Sequence, residues 1–563
     1  MENKLVNRYP AERWLDATPV GNGRLGGMVY GLVYNERILI NHERLYGGAI
    51  STPLPDVSDE LEKVRKDLDC KRYKNAESRY ANRLKTEGYK SNKGSFYPAF
   101  DFRMLFESAA FSDYKRTLDM RSGVCEVEYR EGEIKVKRTT FCSFTSGVIV
   151  IRVKKEKPFG MKFTFEPHDL SDLLTRDGKT AEYHGEFRCS SENGYVFAEC
   201  KATGVPEYYG MAKVLYTDGK VSHNGKDERP LIDMSGVGEI KNYVKVSGAT
   251  EVVIIADVFI GEADYRKAKA RLDGIVLGYD DLLKSHAATF GELFDRTRIS
   301  LCGGGEHDGK MSNEELLLDA FGGKTSSVLI EKMADFGRYL LISSSVGCDL
   351  PANLQGVWNG DYYPAWSCCF FNNENMEMEY WQALTGGLVE AFTPFFDLYD
   401  SLKDDYRENA KKLYGCKGFL LPLYMDAESG IKDELQPHAL YWTGSSAWIA
   451  NIYYNYYAYT LDEEFLLKRA YPFMKEAAEF YEDFLVTGED GYLKNYPANS
   501  PENRADGSFE GARELSVCID PTGDTSLIKE LLKNLLNVAG KAGESHKKIE
   551  KWRDMLNKLP PYK

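Results

Sequence analysis

The chain has 563 residues, 43% hydrophobic and 28% charged, a globular composition too long for one ordinary core, so two to four domains are expected. A formal net charge of −14 argues against nucleic acid or an anionic membrane as a main partner, whereas a neutral substrate fits without difficulty. The 11 cysteines form no CxxC pair and the 8 histidines no HExxH or HxH pattern, which argues against a disulfide framework and a protein-built zinc site.

The N-terminal stretch MENKLVNRYPAERWLDATPVGNG lacks an apolar core segment, so no signal peptide is expected. No apolar run reaches membrane length. With reduced thiols, these readings point to a cytoplasmic setting. GNGRLGG (residues 21–27) superficially looks like a phosphate loop, but no GKS or GKT follows.

The first half reads as β. In SGVCEVEYREGEIKVKRTTFCSFTSGVIVIRVKK (residues 122–155), polar and apolar residues alternate between turn signals. Val124, Glu126 and Glu128 face one way; Cys125, Val127 and Tyr129 face the other. ATEVVIIADVFIG (residues 249–261) reads as a buried strand. Many short strands separated by Gly, Asp and Asn predict a large antiparallel β-sandwich over residues 1–263. Residues 264–312 have helical spacing and read as a helical linker. From 313 to 563, amphipathic helices alternate with loops, as in helical hairpins packed in a toroid or bundle. The helical runs are EELLLDAF, SSVLIEKMADFGRYLLISSS, EMEYWQALTGGLVEAFTPFFDLYDSL, SAWIANIYYNYYAYT and EEFLLKRAYPFMKEAAEFYEDFLV.

Three loop stretches of the helical half carry chemistry. LPANLQGVWNGDYYPAWSCCFFNNENMEMEYW (residues 350–381) is crowded with Asn, Trp and Tyr. One helix cap needs one asparagine, yet Asn372, Asn373 and Asn375 stand together. Carboxamides position a water or a sugar hydroxyl without adding charge. Trp358 and Trp366 offer either a stacking wall or plain core. LQPHALYWTGSSAW (residues 435–448) places His438 and Trp442 at the head of a helix, where the histidine has a structural reading beside a catalytic one. The third stretch is NYPANSPEN (residues 495–503). There Ser500, Pro501 and Glu502 have the form of a helix start, but RADGSFEG follows and reads as loop. Carboxyl, carboxamide, aromatic and imidazole groups with no cofactor signature suggest glycoside chemistry.

The order of motifs resembles glycoside hydrolase family 95, the inverting 1,2-α-L-fucosidases and related α-L-galactosidases. WLDATPVGNGRLGGMVYGLVYNERILINHERLYGG is similar to the family's PIGNGRLGAMV and ERIQLNEDTLWSG elements, and FYPAFDFRMLF to its YQPLGDL segment. PANLQGVWN and NENMEMEYW resemble PANLQGIWN and NINTEMNYW, and NSPEN matches the end of PSTSPEN. The resemblance runs the length of the chain. It implies an N-terminal β-sandwich, a helical linker and an (α/α)6 toroid holding the active site. It also implies that Glu502 is the general acid, and that Asn373 and Asn375 orient the water and support an aspartate base. No metal or cofactor is implied, and the partner is an oligosaccharide or glycan.

There are departures. Glu379 stands where the family has Asn, PANSPEN replaces PSTSPEN, and CIDPTGDTS resembles AGPTMDNQ only in part. The family's base aspartate lies in a DGNFGG-like segment that this chain lacks. The expectation is therefore a fragment cut before the base, beyond Lys563, with impaired hydrolysis. Asp361, Glu374 and Asp520 are the local carboxyls that loop position offers as substitutes. A disaccharide phosphorylase on a related toroid and a non-catalytic carbohydrate-binding protein are the alternatives.

Overall fold

The computed structural model describes residues 3–47, 52–90, 94–107, 110–168, 185–202, 204–223, 242–301, 308–432, 434–503 and 515–562. The chain forms two compact units that interleave in sequence. The first comprises residues 1–48, 95–368 and 385–395; the second comprises 49–94, 369–384 and 396–563.

The first unit is an antiparallel β-sandwich-like domain built on a sheet of fourteen strands. One path runs Lys4–Asn7, Ser112–Asp119, Val124–Glu131, Ile134–Cys142, Ile149–Glu166, Val244–Ile260, Tyr208–Thr217, Tyr195–Ala202 and Gly185–Glu192. The 18-residue strand Ile149–Glu166 turns the sheet into layers. Its first half pairs with Ile134–Cys142 and its second half with Phe100–Phe106, which leads on to Asn35–His42, Leu25–Val29 and Thr18–Gly21. Between the halves, the register against Val244–Ile260 shifts around Phe159, as a bulge does when it bends a strand.

Alternation explains the burial. Cys125, Val127 and Tyr129 point into the inter-layer core, while Glu126 and Glu128 are only half-buried on the other face; Val124, at the strand's start, packs in a second cluster. The unbroken apolar runs need two apolar faces. Ile149, Ile151, Ile254 and Ala256 enter the inter-layer core, whereas Val148, Val150, Val253 and Ile255 enter the second cluster with Ala268, Leu272, Tyr279 and Leu282. Within the stretch read as a helical linker, two helices, Tyr265–Asp273 and Tyr279–Asp295, cover the sheet's outer face. Gly274 to Gly278 separate them, and Asp264 caps the first by accepting from the Lys267 amide.

The second unit is helical. Ser445–Thr460, Tyr471–Phe484, Thr522–Val538 and His546–Lys558 supply its later helices. Leu61–Asp69 and Tyr73–Thr86, helices within the β-rich half of the sequence, belong to it as well. Tyr80 is buried there between the rings of Tyr414 and Tyr441 and donates to the Leu413 carbonyl at 2.7 Å. The run read as one helix over 377–402 is broken into Asn375–Glu379, Trp381–Thr385 and Phe392–Ser401, because Gly386 and Gly387 interrupt it and Gly387 is left-handed. In the 463–486 run a π turn, Leu466–Ala470, precedes Pro472, whose ring and missing N–H disturb the regular ladder.

Phe100 is fully buried in the inter-layer core against Phe165, Phe187 and Tyr208. Phe100→Ala is expected to destabilise the first unit by about 3–5 kcal/mol. Urea unfolding followed by tyrosine and tryptophan fluorescence measures it, and a loss below 1 kcal/mol would mean that the layers do not close on this ring.

Candidate active site

The asparagine-rich segment is fixed at its start by a two-residue strand. Phe370–Phe371 pairs with Tyr424–Met425, and the rings of Phe371 and Tyr424 stack at 4.9 Å. Asn372 is wholly committed to structure. Its amide donates to Leu423 at 2.6 Å, its Nδ2 to the Pro422 carbonyl at 3.1 Å, and its Oδ1 accepts from the Tyr399 hydroxyl at 2.5 Å. The Trp442 Nε1 donates to its carbonyl at 2.9 Å, so this buried tryptophan pins the segment in place.

Asn373 is different. It is buried, and its Oδ1 accepts no hydrogen bond. Asn375 is half-buried at the first position of the Asn375–Glu379 helix. No asparagine caps that helix: the cap position is Glu374, whose side chain makes no cap bond. The reading of the cluster as a simple cap does not account for it.

Of two carboxyls of this helix, the sequence marks Glu379 only as a departure from the family's Asn and does not single out Glu377. Glu377 is fully buried and neither of its oxygens accepts a hydrogen bond. Burial pushes its carboxyl up to about 8, with the nearby Glu374 adding to the shift. Glu379 is raised well above the ordinary carboxyl range by burial, then by Glu377 and Glu374, and its Oε2 is buried without a donor. The only sequence signal was two glutamates spaced by one residue in an otherwise apolar MEMEYW. A third such group is Asp524, buried in the first turn of Thr522–Val538. Burial pushes it up to about 7 against the opposing hydrogen bonds from Thr443 and Asn495.

His438 is half-buried in the Pro437–Leu440 turn of helix. Lys432, fully buried, donates its Nζ to the carbonyls of Ala439 at 2.6 Å and Trp442 at 3.2 Å, which places a cation at that turn's carboxyl end. The His438 carbonyl in turn accepts from the Asn499 Nδ2 at 3.0 Å, which joins this segment to NYPANSPEN.

NYPANSPEN is an extended segment closed by a turn. Ala498 and Cys518 exchange backbone hydrogen bonds of 3.1 and 2.8 Å, and the Asn503 amide donates to the Ser500 carbonyl at 2.7 Å. Pro501 and Glu502 form the tip of that turn, where Glu502 is exposed. A turn takes the place of the alternative helix start, in which Ser500 would be the cap. RADGSFEG (residues 504–511) lies outside the described residues.

The helical unit therefore holds Asn373, Asn375, His438, Trp442 and Glu502. Trp358 and Trp366 belong to the other unit. There Trp358 is buried with Trp14, Met28 and Val357 and donates its Nε1 to the Val20 carbonyl at 2.9 Å. Trp366 is 67% exposed and left-handed in its backbone, as are Ser367 and Cys368. Of the substitute carboxyls, Asp361 also lies in the first unit, Glu374 is exposed, and Asp520 is occupied with the Asn495 amide at 2.7 Å and Lys494 at 3.3 Å. Among the described residues no group of three His, Cys, Asp or Glu is arranged to hold a metal ion, and no helix is long and apolar enough to cross a membrane.

Comparison with known proteins adds to this geometry. Residues 278–563 match the model of the glycosyl hydrolase family 95 catalytic domain, and residues 5–266 that of the glycosyl hydrolase family 65 N-terminal domain. The chain is 28% identical to Alpha-L-fucosidase 2 of Arabidopsis thaliana over 99% of its own length and 68% of that protein. It is 26% identical to Probable alpha-fucosidase A of Aspergillus niger over 86% of its length and 61% of that protein. It thus spans roughly two thirds of the curated relatives it matches. A putative kojibiose phosphorylase from the human microbiome shares the fold, with a TM-score of 0.62 at 14% identity, covering 100% of this chain and 71% of that one.

Two measurements follow from the buried groups. Tyr399→Phe removes the hydroxyl donor of Asn372 Oδ1 and should cost about 1–3 kcal/mol, read by thermal or urea unfolding. Glu377 retains its proton when folded, at pH values where the unfolded carboxyl, near 4.5, has lost it. Its contribution to stability is thus full below about pH 4.5 and is lost as the pH rises to about 8. Asp524 and Glu379 act in the same sense. The melting temperature should therefore fall from pH 5 to pH 8. Glu377→Gln should shallow that fall and be the more stable form at pH 8; parallel profiles for parent and variant would contradict it.

Proposed function

This chain belongs to glycosyl hydrolase family 95, and from that premise we propose that it is a glycoside hydrolase of the α-L-fucosidase type. Its substrate is a terminal α-1,2-linked L-fucose on an oligosaccharide or glycan, or the L-galactose analogue, which differs by a hydroxymethyl group. The observation that carries this reading is the continuous family match over residues 278–563, which takes in both the Asn373–Asn375 segment and Glu502. The names of the Arabidopsis and Aspergillus relatives support the same sugar.

In this reading Glu502 gives its proton to the glycosidic oxygen as the bond to the anomeric carbon breaks. A sugar seated over the exposed turn tip would cover the carboxyl and displace its water, which favours the protonated form it needs. Inversion requires a water on the opposite face and a carboxylate base beyond it, about 6.5–9.5 Å from the acid. Asn373 and Asn375 position that water. The Asn373 Oδ1, buried with no donor of its own, suits an O–H of that water, and a carboxamide does this without competing for the base's charge. A neutral sugar also meets no repulsion from a protein of net charge −14.

In a protein that also carries the base, Glu502→Gln is expected to slow release of L-fucose by about 10²–10⁴-fold while leaving binding of the sugar largely intact. Parent-like turnover by the variant would remove Glu502 from the acid role. Proton NMR of the first-formed product should show β-L-fucose; α-L-fucose would contradict inversion, and fucose 1-phosphate formed only with added phosphate would make the protein a phosphorylase.

A further inference from the structure

Asp524 is fully buried and divides its two oxygens unequally. Its Oδ2 accepts from the Thr443 hydroxyl at 2.9 Å and from the Asn495 Nδ2 at 2.9 Å, while its Oδ1 accepts from no group. Each donor belongs to a different functional segment. Thr443 follows Trp442, and its carbonyl is fixed by the Tyr481 hydroxyl at 2.6 Å. Asn495 opens the extended segment that leads to Glu502. Four residues later the Asn499 Nδ2 reaches the His438 carbonyl at 3.0 Å, so two carboxamides of one segment grip the same 438–443 stretch.

We propose that Asp524 is the positioning residue of the acid: by holding Asn495 and Thr443 on one oxygen, it clamps the Glu502 segment to the segment carrying His438 and Trp442 and so sets where the Glu502 carboxyl stands. The proposal rests on the reading of Glu502 as general acid. Asp524 itself touches no substrate. An acceptor with two lone pairs on one atom is what two converging donors require, and a helix's first turn is where a buried carboxyl is best tolerated. Loss of that acceptor would leave a buried amide and a buried hydroxyl without it, and the segment would swing on its remaining attachments. A displacement of about 1 Å in a proton donor is enough to cost on the order of 10²-fold in rate. Asparagine at 524 keeps an acceptor oxygen of the same shape and should hold the clamp.

The test compares two substrates. An alkyl α-L-fucoside leaves as a strong base and needs the acid's proton; a 2-chloro-4-nitrophenyl α-L-fucoside leaves as a stable phenolate and hardly needs it. Glu502→Gln should lose about 10²-fold more on the alkyl than on the aryl substrate. Asp524→Ala should show the same selectivity, with kcat on the alkyl substrate down about 10–100-fold and KM changed much less. Asp524→Asn should restore most of it. Equal losses on both substrates in Asp524→Ala, beside intact selectivity in Glu502→Gln, would overturn the clamp alone. Absence of selectivity in Glu502→Gln would overturn the acid reading and the proposal with it. Amide hydrogen exchange, which requires no turnover, gives a second readout. Residues 495–503 should exchange about tenfold faster or more in Asp524→Ala, with parent-like protection in Asp524→Asn. Unchanged protection in the alanine variant would overturn the proposal. Thr443→Val, which removes one donor at nearly constant volume, serves the same comparison where Asp524→Ala does not fold.

Discussion

The segment that carries Glu502 has little regular structure of its own, so its position depends on side-chain hydrogen bonds arriving from distant parts of the chain. Arg65 donates its Nε to the Tyr496 carbonyl at 3.1 Å, Asp520 takes the Asn495 amide, Asp524 takes the Asn495 side chain, and the His438 carbonyl takes Asn499. Asn495 and Asn499 are both buried, and buried amides that lack partners cost about 1–3 kcal/mol each. The same bonds that satisfy these amides therefore select one conformation of the loop. A helix or a wide sheet would hold its residues by backbone ladders alone. Here the backbone exchanges bonds with Cys518 and Asp520, and side chains do the rest.

Buried acids in this protein are met in two ways. Some are ion-paired: in the β unit Glu36 with Arg138 at 3.0 Å, Asp101 with His168 at 2.7 Å, and Asp257 with Arg24, and in the helical unit Asp67 with Arg72 at 2.7 Å and Arg79 at 2.6 Å. Those carboxylates meet a cation or imidazole as burial demands. Elsewhere in the helical unit Glu377 has no such partner, and Asp524 is met by neutral donors only. Burial then favours the protonated carboxyl, which keeps the surroundings of the asparagine segment low in charge. A neutral sugar and a water to be oriented are well matched to such surroundings, whereas a field of ionised carboxylates would attract cations.

Much of this was legible in the sequence, and for physical reasons. Cys125, Val127 and Tyr129 alternate with charged neighbours because a strand has a period of two, and the unbroken VVIIA run of Val252–Ala256 signals a strand covered on both faces. The run SSVLIEKMADFGRYLLISSS announces a helix equally plainly, and Ser326 caps it by accepting from the Val328 amide. Partners were not legible. Trp358, in a loop rich in asparagine and tyrosine, looks as suited to a sugar as to a core, and its bond to Val20 comes from 338 residues away. Glu377 shows two glutamates in a helical stretch and nothing of its burial. Periodicity reports which face of an element is apolar but not what covers that face, so helices Leu61–Asp69 and Tyr73–Thr86 carry no mark of the unit they join.

That membership bears on how the chain is made. Helices ending at Thr86 leave the ribosome long before Cys369 to Lys563, with which they form a compact unit, and residues 385–395 come late to a β unit otherwise complete by Cys368. At ordinary rates of synthesis the early helices wait tens of seconds with their apolar faces uncovered. Neither unit can finish folding as an independent N-terminal or C-terminal half. Contacts that far apart in sequence are slow to form, and apolar faces exposed in that interval favour association between chains.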